Sequence, residues 1–352
     1  MATLRAKGVE ATRDAIVAHR SRRFAGVDSE QNFWVSMGPS PSTFGGWTFG
    51  NISGRVSALA VDWAGGTLFA GTASGGLWRS DNDGLSWTSI FDAAGTMTVG
   101  AVAVDPNDPS VLWAGTGENN QGCANYFGIG LLRSADGGQT WESRNGTGGQ
   151  TLEDLSSFAN VVVDPRDSSH LVTGGRIRGC TAGSSVSGGI YTSGDAGLTW
   201  TKRLDDPAVY EIAQDPTVQD TYWAATARGV YKSTDDAVTW GLQTASGLPN
   251  GSTGRTELAV SPSDSNTVYV LFQSPNQLWR TTDGGATWTQ QASGSDACDG
   301  QCSYNMVLRV HSTNPDIVYR GTIRIWKSLD GGINWADLSN GWGSSQKVHQ
   351  DM

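Results

Sequence analysis

One eight-residue pattern occurs six times in this chain of 352 residues. The copies are SDNDGLSW (80–87), SADGGQTW (134–141), SGDAGLTW (193–200), STDDAVTW (233–240), TTDGGATW (281–288) and SLDGGINW (328–335). The consensus is Ser/Thr-x-Asp-x-Gly-x-Thr/Ser-Trp. Successive copies start 54, 59, 40, 48 and 47 residues apart. A repeat of that length matches one four-stranded propeller blade with its loops. The Asp positions are Asn82, Asp136, Asp195, Asp235, Asp283 and Asp330. A short carboxylate accepts hydrogen bonds from the backbone of its own turn, Gly supplies a positive φ, and Trp packs on the blade. Six equivalent turns spread around a ring cannot meet on one substrate, so these Asp residues read as structural.

The rest of the period is legible as strands. Each copy follows an apolar strand with a bulky residue two positions upstream: Trp78, Leu132, Tyr191, Tyr231, Trp279 and Trp326. Before it comes a middle strand such as TLFAGT, VLWAGT or TYWAAT, and before that an inner strand such as VSALAVD or VGAVAVDP. The expected fold is therefore an all-β propeller over residues 31–352, preceded by an amphipathic helical extension over 1–30. NFWVSMGP (32–39) reads as an outermost strand without its turn, and GWGSSQKVHQDM as the start of another inner strand. The expectation is six blades plus a partial seventh closed by the N-terminal strand, in a chain truncated at its C-terminus. A six-bladed ring with extra terminal strands is the alternative.

Composition agrees. There are 47 Gly and 15 Trp, with only 16% charged residues, against a usual ~7% Gly and ~25% charged. So much Gly argues against a helical bundle, and 9% aromatics argue against disorder. A net charge of −10 argues against a nucleic-acid surface. No run approaches the ~18 apolar residues of a membrane span. No spacing of ligand residues points to a metal, and no cofactor motif is present. Cys123, Cys180, Cys298 and Cys302 lack paired CxxC spacing. Two disulfides are expected, which places the chain in an extracellular or periplasmic compartment although its N-terminus does not read as a signal peptide.

The octapeptide resembles the Asp-box, or BNR, repeat of the sialidase/sortilin-like superfamily, and the resemblance covers about residues 32–352. It implies the propeller fold with the repeated turn between the two outer strands. Sialidases of this type use an arginine triad, a Tyr–Glu pair and an acid Asp, usually with an Arg-Ile-Pro segment ahead of the first box. Here that region reads GNISGRVSAL (50–59), so no sialidase residue is carried over. Xyloglucan-cleaving enzymes with Asp-boxes place substrate between two propellers, and this chain holds one.

Strand order puts the long connections, GENNQGCANYFGIG (117–130) and GGRIRGCTAGSSVSGG (174–189), on one face. Long loops on a rigid scaffold are where function sits. The candidate ligand-binding residues of that face are Trp47, Arg55, Arg176, Arg178, Arg255, Tyr304 and Trp342. Arg228 and Arg324 join them in a candidate anion pocket, since guanidinium groups match carboxylates. Glu211 and Glu257 take equivalent inner-strand positions in adjacent blades, Asn160 takes that position in the blade before, and Glu118 opens the first long loop. Two carboxylates near the axis are a candidate glycosidase pair. The leading expectation is a propeller that binds a carbohydrate or a protein on its long-loop face. The alternative is a glycoside hydrolase, sialidase-like or glucan-cleaving, using Glu211, Glu257 or Glu118.

Overall fold

The computed structural model describes residues 42–43, 51–52, 55–120, 126–147, 151–152, 155–177, 188–294 and 297–339. They form six four-stranded antiparallel sheets in a β-propeller ring. Blade 1 runs Val56–Asp62, Thr67–Thr72, Leu77–Ser80, Thr88–Ser89, and blade 2 Val99–Val104, Leu112–Thr116, Leu131–Ser134, Glu142–Ser143. Blade 3 runs Ser157–Asp164, Asp167–Arg176, Gly188–Ser193, Thr201–Leu204, and blade 4 Val209–Gln214, Tyr222–Thr226, Gly229–Ser233, Gly241–Leu242. Blade 5 runs Thr256–Ser261, Asp264–Phe272, Gln277–Thr281, Thr289–Ser293, and blade 6 Val307–Val310, Val318–Gly321, Ile325–Ser328, Ala336–Asp337. Each sheet pairs its strands in chain order, and the first strand of each blade packs on the first strand of the next.

The octapeptide closes the turn between the two outer strands. In blade 5 the Asp283 carboxylate accepts from the Thr287 N–H at 2.8 Å, the Thr287 hydroxyl at 2.6 Å and the Thr281 hydroxyl at 2.7 Å. The Thr287 hydroxyl foremost holds its pKa down at about 2. Asn82 does the same in blade 1, accepting from the Ser86 N–H at 2.9 Å and donating to its hydroxyl at 2.8 Å. The fifth position has a positive φ throughout, which suits Gly. Ala237 takes φ 61° there, so blade 4 carries a strained residue.

Five apolar layers fill the spaces between consecutive blades. The Trp ending each octapeptide from blade 2 onward helps to seal them. The Trp141 indole N–H donates to the Ile90 carbonyl of blade 1 at 2.8 Å, and its ring meets Phe91 at 4.9 Å. Trp288 meets Trp223 edge-on at 6.0 Å. Small residues in the second strands admit the next blade: a Cβ on Gly115 would lie 2.6 Å from Phe158.

Position in the ring shows in one comparison. Val161, Ile212, Leu258 and Leu308 occupy one inner-strand position in blades 3 to 6, and each is buried. Leu59, their counterpart in blade 1, is 69% exposed, and Trp87 is the exposed member of the octapeptide Trp set. On blade 1, Leu59 and Trp87 are thus more exposed than their counterparts in blades 3 to 6. The N-terminal extension, the strand at 32–39 and the C-terminal segment expected to build a seventh blade lie outside the described residues. What the described residues form is six blades.

Candidate functional site

Inner strands from all six blades enclose an axial cavity of about 150 Å3. Its polar lining comes from Glu118, Asn119 and Asn120 of the first long loop, from Asn160, Glu211 and Glu257 of three successive inner strands, and from Arg255 and Arg309. The alternation of a strand explains the stack: Asn160, Glu211 and Glu257 share one register position and face the axis, while the next residues, Val161, Ile212 and Leu258, enter the layers between blades.

Charges at the axis are paired. Arg55 donates to Glu118 Oε2 at 2.6 Å, and Asn120 donates to Oε1 at 2.8 Å. The Tyr304 hydroxyl reaches the same Oε1 at 3.4 Å, and the Arg55 guanidinium lies over the Tyr304 ring at 5.3 Å. Arg255 donates to Glu257 Oε1 from Nε at 3.1 Å and from Nη2 at 2.9 Å, and to Asn120 Oδ1 at 2.6 Å. It also donates to the carbonyls of Tyr304 and Met306, and Arg176 donates to the Asn120 carbonyl. Three arginines therefore converge on Glu118 and Asn120. The acceptors they meet belong to the chain itself.

Glu211 has a different environment. Its Oε2 is 3.9 Å from Arg309, and its Oε1 accepts from Asn160 at 3.4 Å. Burial is the main influence and disfavours its charge. Arg309 opposes that and the Glu257 carboxylate adds to it, leaving the Glu211 pKa at about 7. Burial also raises Glu257, against the pull of Arg255. Of the two, Glu257 holds the bonded Arg255 guanidinium, while Glu211 keeps a proton into the neutral range. A protonated acid and an arginine-bound carboxyl group lining one cavity is an arrangement that acid–base catalysis can use.

The sequence candidates separate accordingly. Arg55, Glu118, Arg176, Glu211, Arg255, Glu257 and Tyr304 come together at the axis. Arg228 and Arg324 stand apart, donating to the Asp205 carbonyl at 3.0 Å and to Asp337 at 3.3 Å. Trp47, Arg178, Trp342, Cys123 and Cys180 lie outside the described residues. Cys298 and Cys302 are joined by a disulfide in the connection that leads to Tyr304. Sequence reasoning missed Arg309 and Asn120. Arg309 had a signal: it is a charged residue in an otherwise apolar inner strand. Asn120 had none beyond its place in a long loop.

On the opposite face, Asp164, His170 and Asp236 have metal-ligand spacing. Arg166 already bridges Asp164 and Asp236, at 2.6 and 3.0 Å, and supplies the positive charge there.

Fold and axis together define a β-propeller with a buried carboxylate–arginine core. The chain is similar in sequence to xyloglucanases. A xyloglucanase from Paenibacillus is 28% identical over 231 residues, covering 63% of this chain and 19% of that protein. The xyloglucanase of Hypocrea jecorina is 26% identical over 234 residues, covering 64% of this chain and 24% of its own. This chain thus spans less than a quarter of either relative. The solved GH74 xyloglucanase from Xanthomonas campestris shares the fold with a TM-score of 0.58 at 19% identity, covering 81% of this chain and 45% of that one. The structure of YCF48 bound to D1 peptide shares it with a TM-score of 0.52 at 13% identity, covering 81% and 82%. No family model matches the chain.

These relatives reverse the order of the two sequence expectations. They support the glycoside hydrolase reading above the carbohydrate-or-protein binding reading, and they lend nothing to a protein ligand. The sialidase/sortilin-like resemblance rests on the octapeptides alone.

Proposed function

We propose that this chain is the propeller of a glycoside hydrolase acting on a xyloglucan-type polysaccharide, with Glu211 as the acid and Glu257 as its arginine-bound partner. The relatives supply the substrate class. The observation that carries the chemistry is the buried pair itself: two carboxyl groups raised by burial line one cavity, one bonded to Arg255 and the other keeping its proton to about 7. A cavity of about 150 Å3 falls below the ~300–1,000 Å3 of typical ligand pockets. The polymer therefore lies across the long-loop face, with no more than a small part of it entering the axis. Among the described residues no helix is long and apolar enough to cross a membrane. An extracellular or periplasmic place fits both the substrate and the Cys298–Cys302 disulfide.

The test is reducing-end release from xyloglucan by the full chain, with Glu211→Gln and Glu257→Gln alongside. Release by the parent chain that falls at least 100-fold in both variants supports the reading. No release, or release untouched by both changes, removes it.

A further inference from the structure

Four large apolar side chains stand in water on the long-loop face: Met97, Tyr126, Phe127 and Ile129, each 40–50% exposed. They come from two adjacent connections, the crossing from blade 1 to blade 2 and the long loop of blade 2. A Cβ added at Gly95 would lie 3.8 Å from Ile129, and the Thr98 hydroxyl donates to the Phe127 carbonyl at 3.1 Å.

The backbone beneath them is pinned. The Glu118 N–H donates to the Tyr126 carbonyl at 2.9 Å, the Gly128 N–H to the Ser156 carbonyl at 2.9 Å, and the Ile129 N–H to the Thr116 hydroxyl at 2.7 Å. The Asn145 amide donates to the Ile129 carbonyl at 3.0 Å. Any side chain at residue 128 would collide with the Thr116 backbone, so Gly128 lets the loop lie flat on the blade. With the Tyr126, Phe127 and Ile129 carbonyls and the Gly128 and Ile129 N–H groups bonded within the chain, this segment offers the solvent rings and aliphatic groups. Large exposed apolar side chains grouped on two neighbouring connections are a feature of binding surfaces. None of the four side chains is charged, which suits a neutral ligand.

The segment is tied through its backbone to the site already described. Tyr126 is hydrogen-bonded to the backbone of Glu118, and Glu118 lines the axial cavity. We infer that Tyr126 and Phe127, flanked by Met97 and Ile129, form a stacking platform for the pyranose rings of a neutral polysaccharide running outward from the cavity mouth. Sugar rings present C–H faces that pack on aromatic rings without any charge, and two adjacent aromatic residues suit a repeating chain. This inference rests on the carbohydrate reading above and adds the residues that hold the chain.

The experiment is isothermal titration of the full chain with xyloglucan, with cellohexaose as a plain neutral chain and with polygalacturonate as a charged control. The variants are Tyr126→Ala, Phe127→Ala, the double variant, and Phe127→Trp. Both side chains are half-exposed, so the folded state is expected to survive, and thermal unfolding checks this. The double variant is expected to weaken neutral-chain binding at least 10-fold and to raise KM with kcat unchanged, while Phe127→Trp retains binding. Equal binding by the double variant overturns the platform, as does equal loss for polygalacturonate, or a parent chain that binds no neutral polysaccharide. If self-association rather than glycan binding is lost, the patch is a protein contact and the platform falls. Cellohexaose bound through these rings without xyloglucan cleavage leaves the platform standing and removes the hydrolase reading. Cleavage with KM unchanged in the double variant does the reverse.

Discussion

The proton on Glu211 has a measurable consequence for stability. Its carboxyl is raised from 4.5 to about 7 in the folded chain, first by burial and then by the nearby Glu257 charge, with Arg309 and Arg255 pulling the other way. The Asn160 amide completes its surroundings. Below pH 4.5 the group is protonated in both folded and unfolded chains and contributes nothing. Between pH 4.5 and 7 the unfolded chain ionises while the folded chain keeps its proton, so stability falls as pH rises. The displacement of ~2.5 pKa units corresponds to about 3 kcal/mol at 1.36 kcal/mol per unit. Above pH 7 both states are ionised and the loss is complete. Glu211→Gln removes the titration and keeps the shape. Unfolding entropy is ~2.1 cal/mol/K per residue, so for the six blades the difference amounts to ~5 °C in Tm. Urea and thermal unfolding of parent and variant at half-unit steps from pH 4 to 8.5 read it directly. The variant is expected to gain on the parent through the window from 4.5 to 7 and then to hold a constant lead. Parallel curves, or a lead that grows toward acid, would refute the assignment of a buried proton to Glu211.

Other expectations follow from the ring and the axis. Leu258→Ala should cost about 3 kcal/mol, the usual range for a fully buried Leu, whereas Leu59→Ala at the equivalent position of blade 1 should cost under ~1 kcal/mol, both read from urea midpoints. Equal costs would mean that Leu59 is covered. Glu118→Gln should destabilise by about 3 kcal/mol, because it breaks a pair with Arg55 whose carboxylate is 1% exposed and strands a partly buried guanidinium. An unchanged Tm would show that this pair does not organise the axis.

Much of the fold was readable because its signal is local. The octapeptide works through contacts within eight residues, so its chemistry is written in the sequence, down to Asn82 replacing Asp. Strand order followed from the same period. The equivalence of Glu211, Glu257 and Asn160 was also legible, since a shared register position is a matter of counting. The partners were not. Arg255 meets Asn120, which is 135 residues away, and Tyr304 meets Glu118 at a separation of 186. Such pairings arise only when the ring brings distant loops to one axis. For the same reason the arginines read as a pocket awaiting an external anion, while Glu118 and Glu257 supply their acceptors from within. Arg228 and Arg324 shared a face with the others but not the axis, a distinction of radius that sequence spacing does not encode.

The central claim is that the axial pair hydrolyses a xyloglucan-type chain, and the pH profile of cleavage tests it most directly. Reducing-end release from xyloglucan by the full chain should proceed below neutrality, decline above pH of about 7 as Glu211 gives up its proton, and vanish in Glu211→Gln across the range. Cleavage that persists in Glu211→Gln with the same alkaline limb, or no cleavage by the parent chain at any pH, would contradict it.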